Sequence, residues 1–323
     1  MLLWFATGPK LGSSRRVQTW QSPHGRPLPQ PGGRTLIMAI LNVTPDSFSD
    51  GGQLPSAQAV VDRAGQLLAA GADVLDIGGE STRPGAAPVT EDEELARVLP
   101  AITAVRRTWP TAALSIDTMK PRVAEAAIRA GADIVNDIWG LAQDLTVDNR
   151  RAAIAALRAG KSDLPLTPMA EAVARLGCPV ILMHNRPDRA YGDFWTDVLL
   201  DLQLSLGLAG RAGISAHQIW LDPGFGFAKD VAQNLEVLNH LDRIVALGHP
   251  VLVGTSRKST IGKVLGTTPD DRSEGTGATV VWSIQKGCAM VRVHDVAPMA
   301  RFVRMTDAIK TGLGFPTPSS WTA

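Results

Sequence analysis

The sequence predicts an α/β protein built as a (β/α)8 TIM barrel, and three observations lead to that prediction. Eight short apolar runs of strand length recur between residues 35 and 311. Segments with the 3.6-residue period of an amphipathic helix separate these runs. Glycines stand where several of the helices end, just before the next apolar run. Eight strand-helix units in succession are typical of a closed barrel whose functional groups lie at the carboxyl ends of the strands.

The predicted strands are continuous apolar runs, which are typical of parallel strands buried on both faces. The runs cover residues 36–41, 73–77, 113–116, 133–135, 179–183, 218–221, 250–253 and 289–293. An open, doubly wound sheet is the alternative architecture. It is disfavoured because the turn after Ile77 lacks the G-x-G-x-x-G pattern with which such sheets bind dinucleotides.

The predicted helices carry start and stop signals. Ser56 can cap the helix that Gly71 terminates, and Thr90 has the spacing of a capping box with the glutamate three residues later. Pro121 suits the first position of a helix, where no amide hydrogen is needed. These signals fix the expected ends of three of the helices that separate the strands.

One barrel accounts for most of the chain. Residues 35–311 form the predicted barrel, and residues 312–323 form a C-terminal tail. Residues 1–34 are expected to form a flexible or loosely attached leader, because residues 6–34 are rich in Gly, Pro, Ser, Gln and Arg and show no hydrophobic period. The segment 141–176 is too long for a single crossover, so we expect an additional helix at 149–159.

Composition excludes several classes of protein. The chain has 32 basic and 31 acidic residues, which gives a net charge of +1, and the basic residues are scattered along the sequence. This charge distribution argues against a nucleic-acid partner. The two cysteines cannot form a disulfide framework, and we expect both to be small buried side chains. No apolar run approaches the roughly 18 residues of a membrane span. The N-terminus lacks the basic region of a signal peptide. We therefore expect a cytoplasmic protein without a membrane partner.

The first polar residues after each apolar run are the candidates for chemistry, because barrel active sites lie at the carboxyl ends of the strands. They are Asn42, Glu80 to Arg83, Asp117, Asn136 with Asp137, His184, Asp222, Ser256 to Lys258, and Arg292 with His294. This set contains no zinc-ligand spacing and no Ser-His-Asp arrangement. Its carboxylates and amides suit a polar heterocycle, whereas its arginines suit a phosphate or carboxylate group. The amide oxygen of Asn42 suits Mg²⁺ that also binds substrate phosphates.

Seven of these segments, in order along the chain, resemble the dihydropteroate synthase family. The segments are N-V-T-P-D-S-F-S-D-G-G at 42–52, D-I-G-G-E-S-T-R-P-G at 76–85, S-I-D-T at 115–118, V-N-D-I at 135–138, D-P-G-F-G-F at 222–227, S-R-K at 256–258 and R-V-H-D at 292–295. The resemblance covers nearly the whole predicted barrel. It implies an enzyme that joins p-aminobenzoate to 6-hydroxymethyl-7,8-dihydropterin pyrophosphate with the help of Mg²⁺ and that forms a homodimer.

The resemblance also implies roles for individual residues. It assigns the pterin to Asp117, Asn136, Asp222 and Lys258, with Arg292 stacked on the pterin face, and Ile138 also lies among the substrate-binding residues. It assigns the pyrophosphate to Arg83, Arg292 and His294, the p-aminobenzoate to Thr82, Pro84, Phe225 and Ser256, and the metal to Asn42. The expected catalytic set is Asp117, Asp222, Lys258 and Arg292. Asp46 and Asp50, in the first loop, are candidates for either substrate closure or simple turn formation.

Two other functions stay open at the level of sequence. One is a methyltransferase of the same barrel superfamily, which would move a methyl group from a folate to a corrinoid partner. The other is a non-catalytic relative that binds pterin. The S-R-K segment and the R-x-H pair, which serve the pyrophosphate and p-aminobenzoate, favour the synthase. Asp117 has a structural alternative as a cap for the helix near Pro121, and Ser256 is expected to cap the helix that follows it.

Overall fold

The computed structural model describes residues 20–44, 56–81, 87–161 and 163–312. Its strands are β1 Leu36–Asn42, β2 Val74–Gly78, β3 Ala113–Asp117, β4 Ile134–Asp137, β5 Val180–Met183, β6 Ile219–Asp222, β7 Leu252–Val253 and β8 Met290–Val293. Its helices are α1 Ala57–Ala69, α2 Glu91–Thr108, α3 Pro121–Arg129, α4 Val147–Arg158, α5 Pro168–Leu176, α6 Phe194–Ala212, α7 Val231–Asn239, α8 Asp242–Val245, α9 Ser259–Leu265, α10 Ser273–Gln285 and α11 Val296–Thr311. The eight predicted strands are confirmed, each within two residues of its expected ends.

All neighbouring strands run parallel, in the order β6-β5-β4-β3-β2-β1-β8-β7. A parallel bridge between Leu221 and Val251 joins the two ends of this sheet. The amide of Leu221 also donates to the carbonyl of Pro250 at 3.0 Å. The ring is therefore a barrel, as predicted, and the joint between β6 and β7 has the shortest pairing.

The helix signals in the sequence are confirmed. The hydroxyl of Ser56 accepts a hydrogen bond from the amide of Ala59, and that of Thr90 accepts one from the amide of Glu93. Pro121 occupies the first turn of α3. The additional helix in the long segment after β4 is α4.

Alternation along the strands separates two apolar regions. The side chains that face outward pack against the helices in the larger cluster. The side chains that face inward form the floor of the barrel, near the amino ends of the strands. The floor consists of Leu36, Met38, Val74, Ala113, Ile134, Ile181, Trp220, Leu252 and Met290, together with Trp20 and Leu28 from the N-terminal segment. A TIM barrel is filled by such layers of side chains, so this interior is solid below the strand ends.

The segment 20–34 closes the bottom of the barrel. Trp20 is 3% exposed and packs against Trp220, with 4.8 Å between the ring centroids and the rings tilted by 37°. Ser22 and Arg26 bind the buried carboxylate of Asp133, at 2.6 Å and 3.0 Å. For these residues the expectation of a flexible leader over 1–34 is wrong, because apolar burial and an ion pair attach them to the barrel. Residues 1–19 and the tail from 313 lie outside the described residues.

The structure also describes the two cysteines and the length and polarity of the helices. Cys178 and Cys288 are both buried and free. Burial raises the pKa of the Cys178 thiol to about 12 and also raises that of Cys288, so neither is a ready nucleophile. Within the described ranges, every helix is too short or too polar to cross a membrane.

Candidate functional site

Charged and polar side chains lie directly above the apolar floor of the barrel. Because every second residue of a strand faces the interior, the residues two positions after those of the floor point to the same space. The polar residues among them are Asp76 on β2, Ser115 on β3, Asn136 on β4, Asp222 on β6 and Arg292 on β8. Asn42 and Asp117 follow at the next inward positions of β1 and β3. Short parallel strands thus bring groups that are far apart in sequence to one end of the barrel.

Arg292 lies between two carboxylates. Its Nε is 2.6 Å from Oδ2 of Asp76, and its Nη2 is 2.6 Å from Oδ2 of Asp117. The amide of Asn136 donates to the same oxygen of Asp76 at 3.0 Å. Burial alone would lower the pKa of Arg292, but the charges of Asp76 and Asp117 raise it above its ordinary value. The guanidinium therefore stays charged, and two neighbouring strands fix its plane.

Asp117 and Asp222 are buried carboxylates. Burial raises the pKa of Asp117 to about 7, although Arg292 opposes that shift. Burial also raises the pKa of Asp222, and the charge of Lys258 opposes it. The amide of Gly224 donates to Oδ1 of Asp222 at 2.7 Å. The bond of Asp117 to Arg292 shows that its side chain serves the interior, whereas α3 begins after Lys120 with no side-chain cap.

Lys258 approaches the site from the loop after β7. Its ammonium donates to the carbonyl of Phe225 and lies 4.3 Å from the centre of the Phe227 ring. Burial lowers the pKa of Lys258 to about 8, while the charge of Asp222 acts in the opposite direction. The lysine stem passes close to Gly226, where a β-carbon would lie 2.7 Å from Cδ of Lys258. Gly226 also has φ +85°, so two independent reasons favour glycine at this position.

Ser256 and His294 join the loop after β7 to the end of β8. The amide and Nδ1 of His294 approach Oγ of Ser256 at 3.2 Å and 3.0 Å. The expected capping role of Ser256 is wrong, because α9 begins at Ser259 and has Lys258 at its N-cap position. Arg257 points away and forms an ion pair with Asp295 on the partly exposed rim. Only the first and third residues of the S-R-K segment therefore lie on the site's side of the loop.

Asn42 and Asp117 flank Gly78 at the top of β2. A β-carbon on Gly78 would lie 3.2 Å from Oδ1 of Asn42 and 3.8 Å from Oδ2 of Asp117. Because residue 78 has no side chain, space remains next to both of these oxygens. Across the described part of the chain, no group of three His, Cys, Asp or Glu side chains is arranged to hold a metal. One amide oxygen beside a carboxylate fits Mg²⁺, which takes few protein ligands when it also binds substrate phosphates.

The remaining expected site residues divide into two groups. Ile138 follows β4 and is half-buried, and Phe225 is 1% exposed in the turn after β6. Five others lie outside the described residues, namely Asp46, Asp50, Thr82, Arg83 and Pro84. The ends of the loop between β2 and α2, which we call the second loop, are nevertheless anchored. Glu80 accepts a hydrogen bond from the amide of Val89 and forms an ion pair with Lys120.

Two buried residues of the site were missed by the sequence reasoning. Asp76 lies inside an apolar run rather than after it. A carboxylate in the middle of a buried strand is the sequence signal that could have identified it as a site residue.

The second of these residues, Lys229, follows the D-P-G-F-G-F segment and is 3% exposed. Its ammonium lies 2.7 Å from Nδ1 of His184, and Nε2 of that histidine lies 3.2 Å from Oδ2 of Asp201. We call Lys229, His184 and Asp201 the lysine cluster.

The match to known proteins covers nearly the whole barrel. A model of the family described as "Pterin binding enzyme" matches residues 38–294, which run from β1 to the residue after β8. The dihydropteroate synthase of Bacillus subtilis is 47% identical over 276 residues, which are 85% of this chain and 89% of that protein.

Solved structures give the same result for the fold. Dihydropteroate synthase of Clostridium difficile, crystallised in the presence of pteroic acid, is 43% identical with a TM-score of 0.77, over 86% of this chain and 98% of that one. The Xanthomonas albilineans dihydropteroate synthase with 4-aminobenzoic acid is 40% identical with a TM-score of 0.76, over 88% and 95% of the two chains.

Proposed function

This chain belongs to the dihydropteroate synthases of the pterin-binding enzyme family, and from that membership we propose how its strand-end site works. The site joins p-aminobenzoate to 6-hydroxymethyl-7,8-dihydropterin pyrophosphate and releases 7,8-dihydropteroate and pyrophosphate, a transferase step of folate synthesis. The observation that carries the proposal is the convergence of Asp117, Asp222, Lys258 and Arg292 on one buried, polar space above the apolar floor.

The buried polar groups suit the edge of a pterin. Its pyrimidine edge presents an amino group and a ring N–H side by side, and a carboxylate can accept from both. Asp222 supplies that carboxylate, and Lys258 donates to the neighbouring carbonyl oxygen. The flat guanidinium of Arg292, fixed by two carboxylates, offers a face on which the pterin ring stacks. Asn136 and Asp117 complete the polar wall, with Ile138 as its apolar part.

Bond formation needs no strong base in this arrangement. The amino nitrogen of p-aminobenzoate forms a bond with the methylene carbon of the pterin, and the carbon-oxygen bond to pyrophosphate breaks. The leaving pyrophosphate takes the electron pair, and the nitrogen releases a proton to water. The electron-rich dihydropterin stabilises positive charge on the methylene carbon as the bond breaks. Arg292 and His294 then counter the growing negative charge on pyrophosphate, together with Arg83 from the second loop.

We include Mg²⁺ in the proposal, and Asn42 is the residue that would hold it. When bound, the ion neutralises charge on the pyrophosphate and so assists its departure. The support is the chemistry of the donor set, an amide oxygen beside the carboxylate of Asp117 across Gly78. Thr82, Pro84, Phe225 and Ser256 are the proposed contacts of p-aminobenzoate, and Asp46 and Asp50 the proposed closing loop.

The decisive experiment follows pyrophosphate release. Purified protein is mixed with the dihydropterin pyrophosphate, p-aminobenzoate and Mg²⁺, with and without a sulfonamide that competes for the p-aminobenzoate site. Release that depends on both substrates supports the synthase. A protein that binds the pterin but releases no pyrophosphate would be a non-catalytic relative, and methyl transfer from a folate to a corrinoid would indicate the methyltransferase. The names of the relatives favour the synthase over both.

We also propose that the enzyme is a cytoplasmic homodimer that joins through α10 and α11. Phe302 of α11 packs on Gly277 of α10, so the two helices form one surface. On this surface, Trp282, Met305 and Ile309 are 47%, 63% and 64% exposed, an unusual amount for large apolar side chains.

Light scattering coupled to size-exclusion chromatography tests the proposed dimer. Met305→Glu with Ile309→Glu should yield monomers, and the exposed Leu235→Glu is the control; dimers that survive the double change would contradict this interface.

A further inference from the structure

We propose that Lys229 is a positioning residue for the pterin: its ammonium fixes the turn after β6 in the conformation that binds the pterin edge. The inference deepens the proposed function and rests on it. Lys229 follows the turn, is not among the residues assigned to substrate, and has an almost completely buried side chain. The charges of Asp222 and Lys258 both act on its ammonium. A buried lysine without a carboxylate in direct contact is costly, so its retention calls for a specific role.

The geometry around the ammonium is complete. Its three N–H donors meet three acceptors: Nδ1 of His184 at 2.7 Å, the carbonyl of Gly224 at 3.1 Å and the carbonyl of Phe227 at 3.2 Å. A protonated lysine has three donors and no acceptor, so three acceptors suit the charged form. Burial lowers the pKa of Lys229 to about 7, and the charge of Asp222 acts in the opposite direction. The two carbonyls belong to opposite ends of the turn, and the ammonium therefore ties the turn across its width.

The histidine is oriented to receive this bond. Burial, together with the charge of Lys229, lowers the pKa of His184 to about 3, so the ring is neutral. Its Nε2 then carries the proton and donates to Asp201, which leaves Nδ1 as the acceptor for Lys229. Arg150 of α4 and Arg186 hold Asp201 in turn, at 3.1 Å and 3.2 Å. The lysine cluster is thus braced from α4, α6 and the loop after β5.

The turn transmits this constraint to the pterin groups. The residue whose carbonyl binds Lys229, Gly224, also donates its amide to Oδ1 of Asp222 at 2.7 Å. The next carbonyl, that of Phe225, accepts from Lys258. The turn lies so close to its support that a β-carbon on Gly224 would come within 1.9 Å of the His184 carbonyl oxygen. Both groups that bind the pterin edge are therefore bonded to the turn that Lys229 ties.

Lys229→Met tests the inference, because methionine keeps an unbranched side chain one atom shorter than lysine and removes the ammonium. We expect the dissociation constant for the dihydropterin pyrophosphate, measured by calorimetry without p-aminobenzoate, to rise at least about tenfold. The KM for p-aminobenzoate at saturating pterin should rise less than the dissociation constant for the pterin, because Ser256 lies on a different loop and Phe225 is the one proposed p-aminobenzoate contact in the turn. Lys161→Met, at an exposed lysine, is the matched control and should leave both values unchanged.

Circular dichroism and thermal melting establish that the variant folds. Should Lys229→Met not fold, Lys229→Gln retains two donors for the two carbonyls and is expected to show a smaller loss of pterin affinity. A folded variant with wild-type pterin affinity would overturn the inference. Equal losses for both substrates would overturn it too, since they would indicate general deformation of the site. Turnover of the wild-type enzyme tests the proposed function separately, because the inference concerns only the ratio of variant to wild-type affinity.

Discussion

At the scale of single residues, Lys258 supplies a cation that interacts with Asp222 at the carboxyl end of the barrel. We expect Lys258→Ala to lower kcat/KM for the dihydropterin pyrophosphate at least about a hundredfold, because the pterin carbonyl loses its charged donor. Pyrophosphate release measures the rate, and circular dichroism checks the fold. Lys263→Ala, at an exposed lysine one helix turn further on, is the control. Wild-type rates in Lys258→Ala would contradict the assignment of Lys258 to the pterin.

The lowered pKa of Lys258 also predicts a pH dependence. Because the folded-state pKa is about 8 rather than the ordinary 10.5, the charged form that binds the pterin is lost as the pH rises through 8. The kcat/KM for the pterin substrate should therefore fall above about pH 8. In Lys258→Arg the residual activity should persist to higher pH, because arginine stays charged. A profile that is flat to pH 10 in the wild-type enzyme would be inconsistent with this explanation.

At the scale of elements, Lys120 connects the loop after β2 to helices α2 and α3. Its ammonium lies 2.7 Å from Glu80 and 2.6 Å from Glu94, and the side chain of Glu94 is 1% exposed. Lys120→Met would leave Glu94 as a buried, unpaired charge, so we expect the free energy of unfolding to fall by about 3 kcal/mol. Urea titration measures the change. Arg122→Met, which removes an exposed pair with Asp92, should leave the free energy of unfolding nearly unchanged.

The N-terminal segment makes a second prediction at this scale. Removing the indole of Trp20 leaves a cavity against Trp220 at the bottom of the barrel, far from the strand ends. We expect Trp20→Ala to lower the free energy of unfolding by about 3 to 5 kcal/mol while kcat stays near that of the wild type. The exposed Leu235→Ala is the comparison. A variant as stable as the wild type would show that the segment adds little to the barrel.

The strands and the contact of Trp20 differ in how far sequence predicts them. Strands were predictable because burial on both faces imposes a continuous apolar run, which is a local property. The docking of Trp20 depends on Trp220, 200 residues away, and no periodicity signals such a contact. Lys229 was missed for a related reason: a lysine between Ala228 and Asp230 resembles a solvated surface residue, and only the fold brings it to His184.

At the scale of the whole molecule, the barrel divides stability from chemistry along its axis. The floor and segment 20–34 close the amino end with apolar side chains. The carboxyl end carries the charges. Asp76, Asp117, Asp222 and Arg292 stand on strands whose lower halves belong to the floor, and Lys258 lies in the loop after β7. The net charge of +1 therefore hides a local arrangement of buried arginine, lysine and carboxylate groups that suits a small anionic heterocycle.

The barrel is least rigid at the joint between β6 and β7. It has one ladder bridge, Leu221 to Val251, where the other neighbouring strands have at least two paired positions. Local opening should begin there, so the amide of Leu221 should exchange with deuterium faster than the amides between β1 and β2. Asp222 and Lys258 stand on opposite sides of this joint. A pterin that binds both Asp222 and Lys258 would connect β6 to the loop after β7. Bound pterin should therefore slow amide exchange at this joint more than elsewhere in the barrel.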